Sequence, residues 1–295
     1  MNILITGGTG FIGRALCQQL LANGHQLVVL SRRPAQLSSP IIAIDSLSKL
    51  PSDRPIDAVV NLAGEPIADK RWSQRQQQRI VNSRMHITQA LINYFKSTTP
   101  KPQVFISGSA IGYYGIHGEQ IISDELQDGD SSFSSQLCQQ WEALAMEAQQ
   151  LGIRTCLLRT GIVLGKHGGA LQKMLLPFKL GLGGKIGSGQ QWMPWIHLQD
   201  VIGIIEYCLQ HNSVNGPINV TAPQPVTNQN FSRALGHALH RPAILPMPAF
   251  VIRLLFGQMG TELLLSGKKV LPAKILAEGY TFKYQNLEQA LKQII

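Results

Sequence analysis

The chain opens with MNILITGGTGFIG, residues 1–13, in which a short apolar run leads into closely spaced glycines. Ile3–Ile5 predicts a buried strand, and the residues after the glycines predict a helix with one apolar face. Gly7 permits a tight turn, Gly10 leaves room for a pyrophosphate, and Gly13 allows helix and strand to pack closely. The start of the helix offers free N–H groups to an anion. This context favours a dinucleotide-binding loop over the alternative, an ordinary glycine-rich turn.

The composition is that of a folded protein with a sizeable core. The chain has 295 residues, of which 44% are hydrophobic and 15% charged, enough for one large domain or two modest ones. Its cysteines are far apart and form no CxxC pair, so we expect no disulfide framework or zinc site and a cytoplasmic location. His237 and His240 have no acidic residue nearby, and we expect no metal there. Ala249–Phe256 is apolar but short and contains Arg253, so we expect no membrane span.

The net charge is positive, which restricts the class of ligand. Lys and Arg number 26 against 17 acidic residues, giving a formal charge of +9. Such a balance is found in nucleic-acid-binding proteins and also in proteins that bind anionic small molecules. The basic residues are spread along the chain and are not interleaved with aromatic residues. We therefore expect a small-molecule ligand and no nucleic acid.

Short apolar runs alternate with helical patterns through the first half of the chain. Such alternation predicts an α/β fold with a doubly wound parallel sheet, because short β-branched runs are typical of strands covered on both faces. Residues 1–165 are predicted to form a dinucleotide-binding domain. Residues 166–295 are predicted to form a smaller C-terminal lobe, from which residues 196–222 rejoin the first domain. The lobe is expected to cover the carboxyl ends of the strands.

The residues after the second predicted strand indicate which dinucleotide is bound. An NAD-selective site places an acidic residue about twenty residues after the glycines, where this chain has Ser31, Arg32 and Arg33. A guanidinium grips a 2′-phosphate through two donors, whereas a carboxylate repels it. Ser31 and Arg32 therefore predict NADP(H); the alternative is a solvated basic turn.

Five motifs occur in an order that resembles a known superfamily. After residues 6–13 they are Asn61–Gly64, Ser107–Gly115, Arg159–Gly161 and Trp195–Asp200. Together they resemble the extended short-chain dehydrogenases/reductases, which include nucleotide-sugar epimerases and dehydratases. More narrowly, residues 61–65, 112–115, 175–189 and 271–282 resemble the atypical "epimerase family" group. The resemblance implies a Rossmann-type domain, a smaller substrate lobe and a nucleotide sugar among the possible substrates.

The resemblance also implies a set of residues that contact the cofactor. The glycine loop would hold the pyrophosphate, the end of the second strand the 2′-phosphate, and the loop after the fourth strand the adenosine side. Arg84, on the next helix, matches a position that reaches the cofactor; the alternative is a surface helix arginine. The full set is Gly7, Thr9, Gly10, Phe11, Ile12, Gly13, Ser31, Arg32, Leu62, Ala63, Gly64, Arg84 and Cys138.

The chain departs from the superfamily at its catalytic pair. Members use a Tyr-x-x-x-Lys motif with a Ser, where the tyrosine moves a proton and the lysine binds the nicotinamide ribose. Here Ser134 stands at the tyrosine position and Cys138 at the lysine position, and only Ser109 is retained. Tyr113 and Tyr114 are the obvious substitutes, with loop packing as their alternative role. We therefore expect an NADP(H)-dependent oxidoreductase or epimerase with a rearranged acid/base, or else an NADP(H)-sensing protein with little turnover.

Overall fold

A computed structural model describes residues 1–51, 54–116 and 118–295. The strands are β1 (Asn2–Thr6), β2 (Gln26–Leu30), β3 (Ile42–Ile44), β4 (Ala58–Asn61), β5 (Val104–Ala110), β6 (Gly118–Ile122), β7 (Arg154–Thr160), β8 (Ile162–Gly165), β9 (Trp192–Met193), β10 (Trp195–His197), β11 (Gly216–Val220), β12 (Val226–Thr227) and β13 (Lys268–Val270). The helices are α1 (Phe11–Ala22), α2 (Gln74–Ser97), α3 (Phe133–Gln150), α4 (Gly169–Lys179), α5 (Leu198–Gln210), α6 (Asn228–Ala238), α7 (Ala249–Phe256), α8 (Gln258–Gly260), α9 (Ala273–Ala277) and α10 (Leu287–Ile294).

The centre of the molecule is a parallel sheet in the order β11-β7-β5-β4-β1-β2-β3. The chain runs outward from β1 to β2 and β3, then crosses to β4, β5 and β7 on the other side. Thr6, at the end of β1, is in register with Leu30 on one side and Asn61 on the other. The order therefore reverses between β1 and β4, the point where open α/β sheets bind their ligands. The predicted doubly wound α/β fold is confirmed.

Helices cover both faces of the sheet, which explains the apolar runs of its strands. Ile3 and Ile5 pack into a core shared with α1 and α5, whereas Leu4 packs into the core shared with α2 and α3. Successive side chains of a strand point to opposite faces, so a strand covered on both sides is apolar throughout. A third core lies among α4, α6 and α10, outside the sheet.

The C-terminal part contains a strand as well as helices. β13 lies between α8 and α9 and pairs in parallel with β6. Helix α5 begins at Leu198, where the His197 ring accepts the Gln199 N–H at 3.1 Å and caps the helix. β11 lies beside β7 in the main sheet. The domain boundary at residue 165 stays a prediction. None of the helices in the described ranges is long and apolar enough to cross a bilayer.

Candidate active site

The glycine turn after β1 requires the absence of side chains at two positions. Gly7 has a φ of 74°, and a Cβ there would lie 2.7 Å from the Leu62 carbonyl carbon. A Cβ on Gly13 would lie 2.2 Å from the Gly7 carbonyl oxygen. Helix α1 begins directly after Gly10, which has extended backbone. The first N–H groups of this helix therefore face the crevice at the switch point, an arrangement that fits the pyrophosphate of a dinucleotide.

A buried hydrogen-bond network fixes the ends of β1 and β4 relative to each other. The Thr6 hydroxyl donates to Asn61 Oδ1 at 2.6 Å and accepts the Ala63 N–H at 3.2 Å. Asn61 Nδ2 donates to Thr88 Oγ1, which also accepts the Trp141 indole N–H, both at 3.0 Å. The predicted cofactor residues Leu62, Ala63 and Gly64 therefore follow a rigid strand end and lie beside Gly7.

Arg84 lies half-buried against the loop that follows β4. Its guanidinium donates to the Glu65 and Ile80 carbonyls, each at 3.1 Å. A Cβ on Gly64 would lie 2.9 Å from the guanidinium carbon, which is 5.1 Å from the Trp141 ring centroid. Burial lowers the pKa of Arg84. Its position places a cation under the predicted adenosine loop rather than free on the helix surface.

The residues predicted to contact the 2′-phosphate, Ser31 and Arg32, lie directly after β2. The Ser31 hydroxyl accepts the Arg33 N–H at 3.1 Å, which closes a short turn. Arg32 is exposed within this turn, next to the glycine loop on the neighbouring strand. A 2′-phosphate on an adenosine placed over β2 would meet this guanidinium. The residues present therefore fit NADP(H).

The rest of the glycine loop is fastened to its surroundings. The Thr9 carbonyl accepts Arg14 Nε at 2.7 Å, and Ile12 packs against the core beneath the sheet. The Phe11 ring lies against the turn between β8 and α4, where a Cβ on Gly168 would lie 2.5 Å from the ring. The loop is thus held both to the sheet and to the segment that leads into the smaller lobe.

The residues at the positions of the missing catalytic pair are engaged or buried. Ser134 donates its hydroxyl to Glu262 Oε2 at 2.7 Å, and the same carboxylate accepts the Phe133 and Ser134 N–H groups. Glu262 comes from a π-helical turn, Thr261–Leu265, and caps α3 from outside. Cys138 is 3% exposed, and burial raises the pKa of its thiol to about 11. The thiol is therefore protonated at neutral pH and is a poor nucleophile.

The three predicted catalytic hydroxyls surround a buried ion pair. Arg159 donates to both oxygens of Glu142, from Nε and from Nη2, at 2.9 Å each. Ser109 donates its hydroxyl to Glu142 Oε1 at 2.5 Å. The guanidinium carbon of Arg159 lies 3.6 Å from the Tyr113 ring centroid. The hydroxyl of Tyr113 donates to the Gln127 carbonyl at 3.2 Å.

Tyr114 completes this cluster and is wholly buried. Its hydroxyl donates to Asn219 Oδ1 at 2.6 Å and accepts Arg159 Nη1 at 3.0 Å. Burial raises the pKa of Tyr114 to about 12. Asp124 in turn accepts the Asn219 N–H and the Lys274 N–H. The network joins β5, β7 and β11 to the C-terminal segment.

Sequence reasoning missed the charged residues that organise this region. Glu142 belongs to none of the motifs described above, and Arg159 belongs to one of them without an assigned role. Glu262 lies 128 residues from Ser134 in sequence, and no local pattern indicates it. A buried carboxylate and guanidinium on neighbouring elements become recognisable only when the fold brings them together.

The fold and the site together define the class of protein. Residues 3–221 match the model of the NAD dependent epimerase/dehydratase family, and the chain belongs to this family. Residues 247–294 match a domain of unknown function, DUF1731. The resemblance to the extended short-chain dehydrogenases/reductases is thereby confirmed.

Two curated relatives match the chain over its whole length. Epimerase family protein SDR39U1 of Homo sapiens is 41% identical over 299 residues, covering 100% of both proteins. Epimerase family protein YfhF of Bacillus subtilis is 36% identical over 303 residues, covering 100% of the chain and 98% of the relative.

Solved structures show the same fold. Human SDR39U1, crystallised with NADPH, superposes with a TM-score of 0.92 at 39% identity, covering 100% of the chain and 99% of that protein. A nucleoside-diphosphate sugar epimerase from Corynebacterium glutamicum gives 0.80 at 28% identity, covering 100% of the chain and 58% of the longer protein. A UDP-glucuronic acid 4-epimerase from Bacillus cereus gives 0.80 at 21% identity, with 100% and 98% coverage, which shows a shared fold.

Proposed function

We propose that the chain binds NADP(H) in the crevice between the glycine loop and the ends of β2 and β4. The observation that carries this proposal is the close approach of Gly13 to Gly7 at the start of α1, directly beside the switch point. Arg32 supplies the preference for the 2′-phosphate, because it is an exposed cation at the end of β2 where NAD-selective sites have an acid. A relative at 39% identity was crystallised with NADPH, which supports the same cofactor here.

The proposed reaction is oxidoreduction or epimerisation of a small molecule, with a nucleotide sugar as the first candidate substrate. When bound, NADP(H) would supply hydride transfer to or from the substrate carbon. The support for this substrate class is family membership, and a UDP-glucuronic acid 4-epimerase of similar fold was crystallised with UDP-glucuronic acid. In this proposal residues 166–295 form the lobe that covers the strand ends and holds the substrate.

Among the three predicted catalytic hydroxyls, we assign the proton-transfer role to Tyr113. Ser109 and Tyr114 already donate to buried acceptors, Glu142 and Asn219. Tyr113 is only half-buried and donates to a backbone carbonyl through a longer bond, so a substrate oxygen competes for it more easily. The Arg159 guanidinium carbon lies 3.6 Å from the Tyr113 ring centroid, and this cation–π contact holds the ring in place.

A second candidate function is an NADP(H)-sensing protein with little or no turnover. The observation that favours it is the engagement of the hydroxyls near the former catalytic pair. Ser134 is bound to Glu262, Ser109 to Glu142, and Tyr114 to Asn219 and Arg159. A site whose acids and bases are all engaged binds cofactor without moving protons.

Two measurements test and separate these functions. NADPH fluorescence titrations should show saturable binding of NADPH that is tighter than binding of NADH; equal affinity contradicts the role of Arg32. The absorbance of the reduced nicotinamide should then be followed with nucleotide sugars and simple carbonyl compounds, and sugar products should be analysed separately because epimerisation regenerates the cofactor. Turnover with any of them supports the enzyme, whereas tight binding without turnover supports the sensor.

A further inference from the structure

Lys268, the first residue of β13, is a lysine that the fold buries. Its side chain is 8% exposed, and Nζ donates to the Ile111 carbonyl at 3.1 Å. Among the residues that the structure describes, Nζ makes this one hydrogen bond, and no carboxylate of these residues lies within 4.0 Å of Nζ. An ammonium has three donors, so two remain for other acceptors. A buried charge with so few partners destabilises a fold unless a ligand completes its coordination.

The backbone of β13 sets the direction of the Lys268 side chain. The pairing of β13 with β6 shifts register between Lys268 and Lys269, and such irregularities re-aim side chains. Lys269 lies with Nζ 4.7 Å from the ring centroid of Trp192, in β9. Lys268 instead reaches the loop after β5, the strand that carries Ser109.

Lys268 reaches the place from which the motif's own lysine is missing. The carbonyl that it contacts belongs to Ile111, and a Cβ on the next residue, Gly112, would lie 3.6 Å from Cys138 Sγ. Three titratable groups act on Lys268 electrostatically: Cys138 and Glu262, at α3 and its cap, and Asp130, in the loop before α3. Burial lowers the pKa of Lys268 to about 8, while these three groups favour its charged form.

The sheet order determines which part of a bound dinucleotide comes near Lys268. With the 2′-phosphate over β2 and the pyrophosphate at the end of β1, the second nucleotide half extends to the opposite side, over β4 and β5. Adjacent strands lie about 4.8 Å apart, so β5 is roughly 10 Å from β1, within reach of that half. The end of β5 is where Ile111 and the Lys268 ammonium meet.

We propose that Lys268 binds the ribose of the nicotinamide half, donating from Nζ to its two hydroxyl oxygens. A vicinal diol offers two neighbouring acceptors, which matches the two remaining donors of the ammonium. A lysine from the C-terminal segment thus replaces a cation that α3 lacks. This inference rests on the proposed NADP(H) site. It adds a residue that contacts the nicotinamide half and so orients the cofactor.

The test compares NADPH with 2′,5′-ADP, which has the phosphorylated adenosine half but lacks the nicotinamide half. Both ligands are titrated into the wild-type protein, Lys268→Met, Lys268→Gln and the matched control Lys269→Met. Lys268→Met and Lys268→Gln should weaken NADPH binding at least about tenfold, because hydrogen bonds from a charged donor are lost. Binding of 2′,5′-ADP should stay unchanged in all variants, and Lys269→Met should bind both ligands like the wild type.

Other outcomes overturn the inference in distinguishable ways. Unchanged NADPH affinity in both Lys268 variants removes the lysine from the site. Equal weakening of both ligands shows that Lys268 acts through the fold, and thermal unfolding of each variant identifies that case. If the wild type binds neither ligand, the proposed function fails and the inference fails with it.

Discussion

Arg159 and Glu142 form a two-point ion pair in the interior, with side chains that are 1% and 7% exposed. The pair ties β7 to α3 beneath the candidate site, and Ser109, Tyr113 and Tyr114 are arranged around it. The pair engages the hydroxyls of Ser109 and Tyr114, whereas the Tyr113 hydroxyl donates to the Gln127 carbonyl.

Removing one charge of this pair should strongly destabilise the protein. Glu142→Gln leaves the Arg159 guanidinium buried without its counter-charge, which costs about 3–5 kcal/mol. Glu147, on the same helix, pairs with Lys96 at 3.2 Å on the surface. Glu147→Gln should therefore cost less than about 1 kcal/mol. Urea unfolding of the two variants measures the difference, and equal midpoints would contradict the structural role of the buried pair.

Reversing the charge at the end of β2 should change cofactor preference. Arg32→Asp places a carboxylate where the 2′-phosphate is expected, so NADPH affinity should fall by roughly 10- to 100-fold while NADH affinity is retained. Arg33→Asp makes the same change of charge one residue further on, in a side chain that is also exposed. Fluorescence titration checks both; a similar loss in the two variants would indicate general electrostatics instead of a specific contact.

The two neighbouring tyrosines should respond differently to loss of the hydroxyl. Tyr114→Phe removes a buried group with two strong partners and should cost about 1–3 kcal/mol of unfolding free energy. Tyr113→Phe should leave stability nearly unchanged and lower turnover by roughly 100-fold or more, as expected for a proton-transfer group. Unfolding curves and rates with an active substrate separate the two. Full turnover in Tyr113→Phe would exclude it as the acid.

Affinity for NADPH should fall as the pH rises above about 8. Lys268 has a lowered pKa of about 8 in the free protein, and only its charged form donates all three hydrogen bonds. Cys138, with a raised pKa of about 11, stays protonated in this range. Asp130 and Glu262 act on Lys268 electrostatically and favour its charged form.

The pH measurement has internal controls. Titrations with NADPH from pH 7 to 9.5 should show the loss in the wild type, a flat profile in Lys268→Met, and a flat profile for 2′,5′-ADP in both proteins. A loss of NADPH affinity in Lys268→Met of the same size would assign the pH dependence to another group.

The free energy of unfolding, unlike NADPH affinity, should increase as the pH rises above about 8. Because the folded-state pKa of Lys268 lies below its ordinary value, the unfolded chain binds more protons between about pH 8 and 10.5. The contribution of Lys268 to stability is therefore least favourable below pH 8 and improves through this window. Lys268→Met should accordingly be more stable than the wild type at pH 7, as measured by urea unfolding. A lower stability of this variant would show that the Ile111 hydrogen bond outweighs the cost of burying the charge.

The sequence by itself determined the sheet and the phosphate-binding end of the cleft. Residues 1–13 contain the signals of a strand, a turn and a helix within a few positions. Position 7 requires glycine because its φ is positive, and position 13 requires glycine because the Gly7 carbonyl oxygen lies too close for a side chain. The apolar runs of β1, β2, β4 and β5 were likewise readable, because strands buried on both faces must be apolar throughout. These features depend on neighbours in the chain, which is why a local reading finds them.

The surroundings of Ser109, Tyr113 and Tyr114 were decided only by tertiary structure. Glu142 meets Arg159 across 17 residues, Glu262 meets Ser134 across 128, and Lys268 meets Ile111 across 157. Burial alters the pKa of Lys268 and Cys138, and the availability of a hydroxyl depends on the partner that the fold supplies. Neither burial nor a distant partner can be inferred from local spacing. The absence of the lysine from α3 therefore did not indicate that Lys268 of β13 would lie nearby.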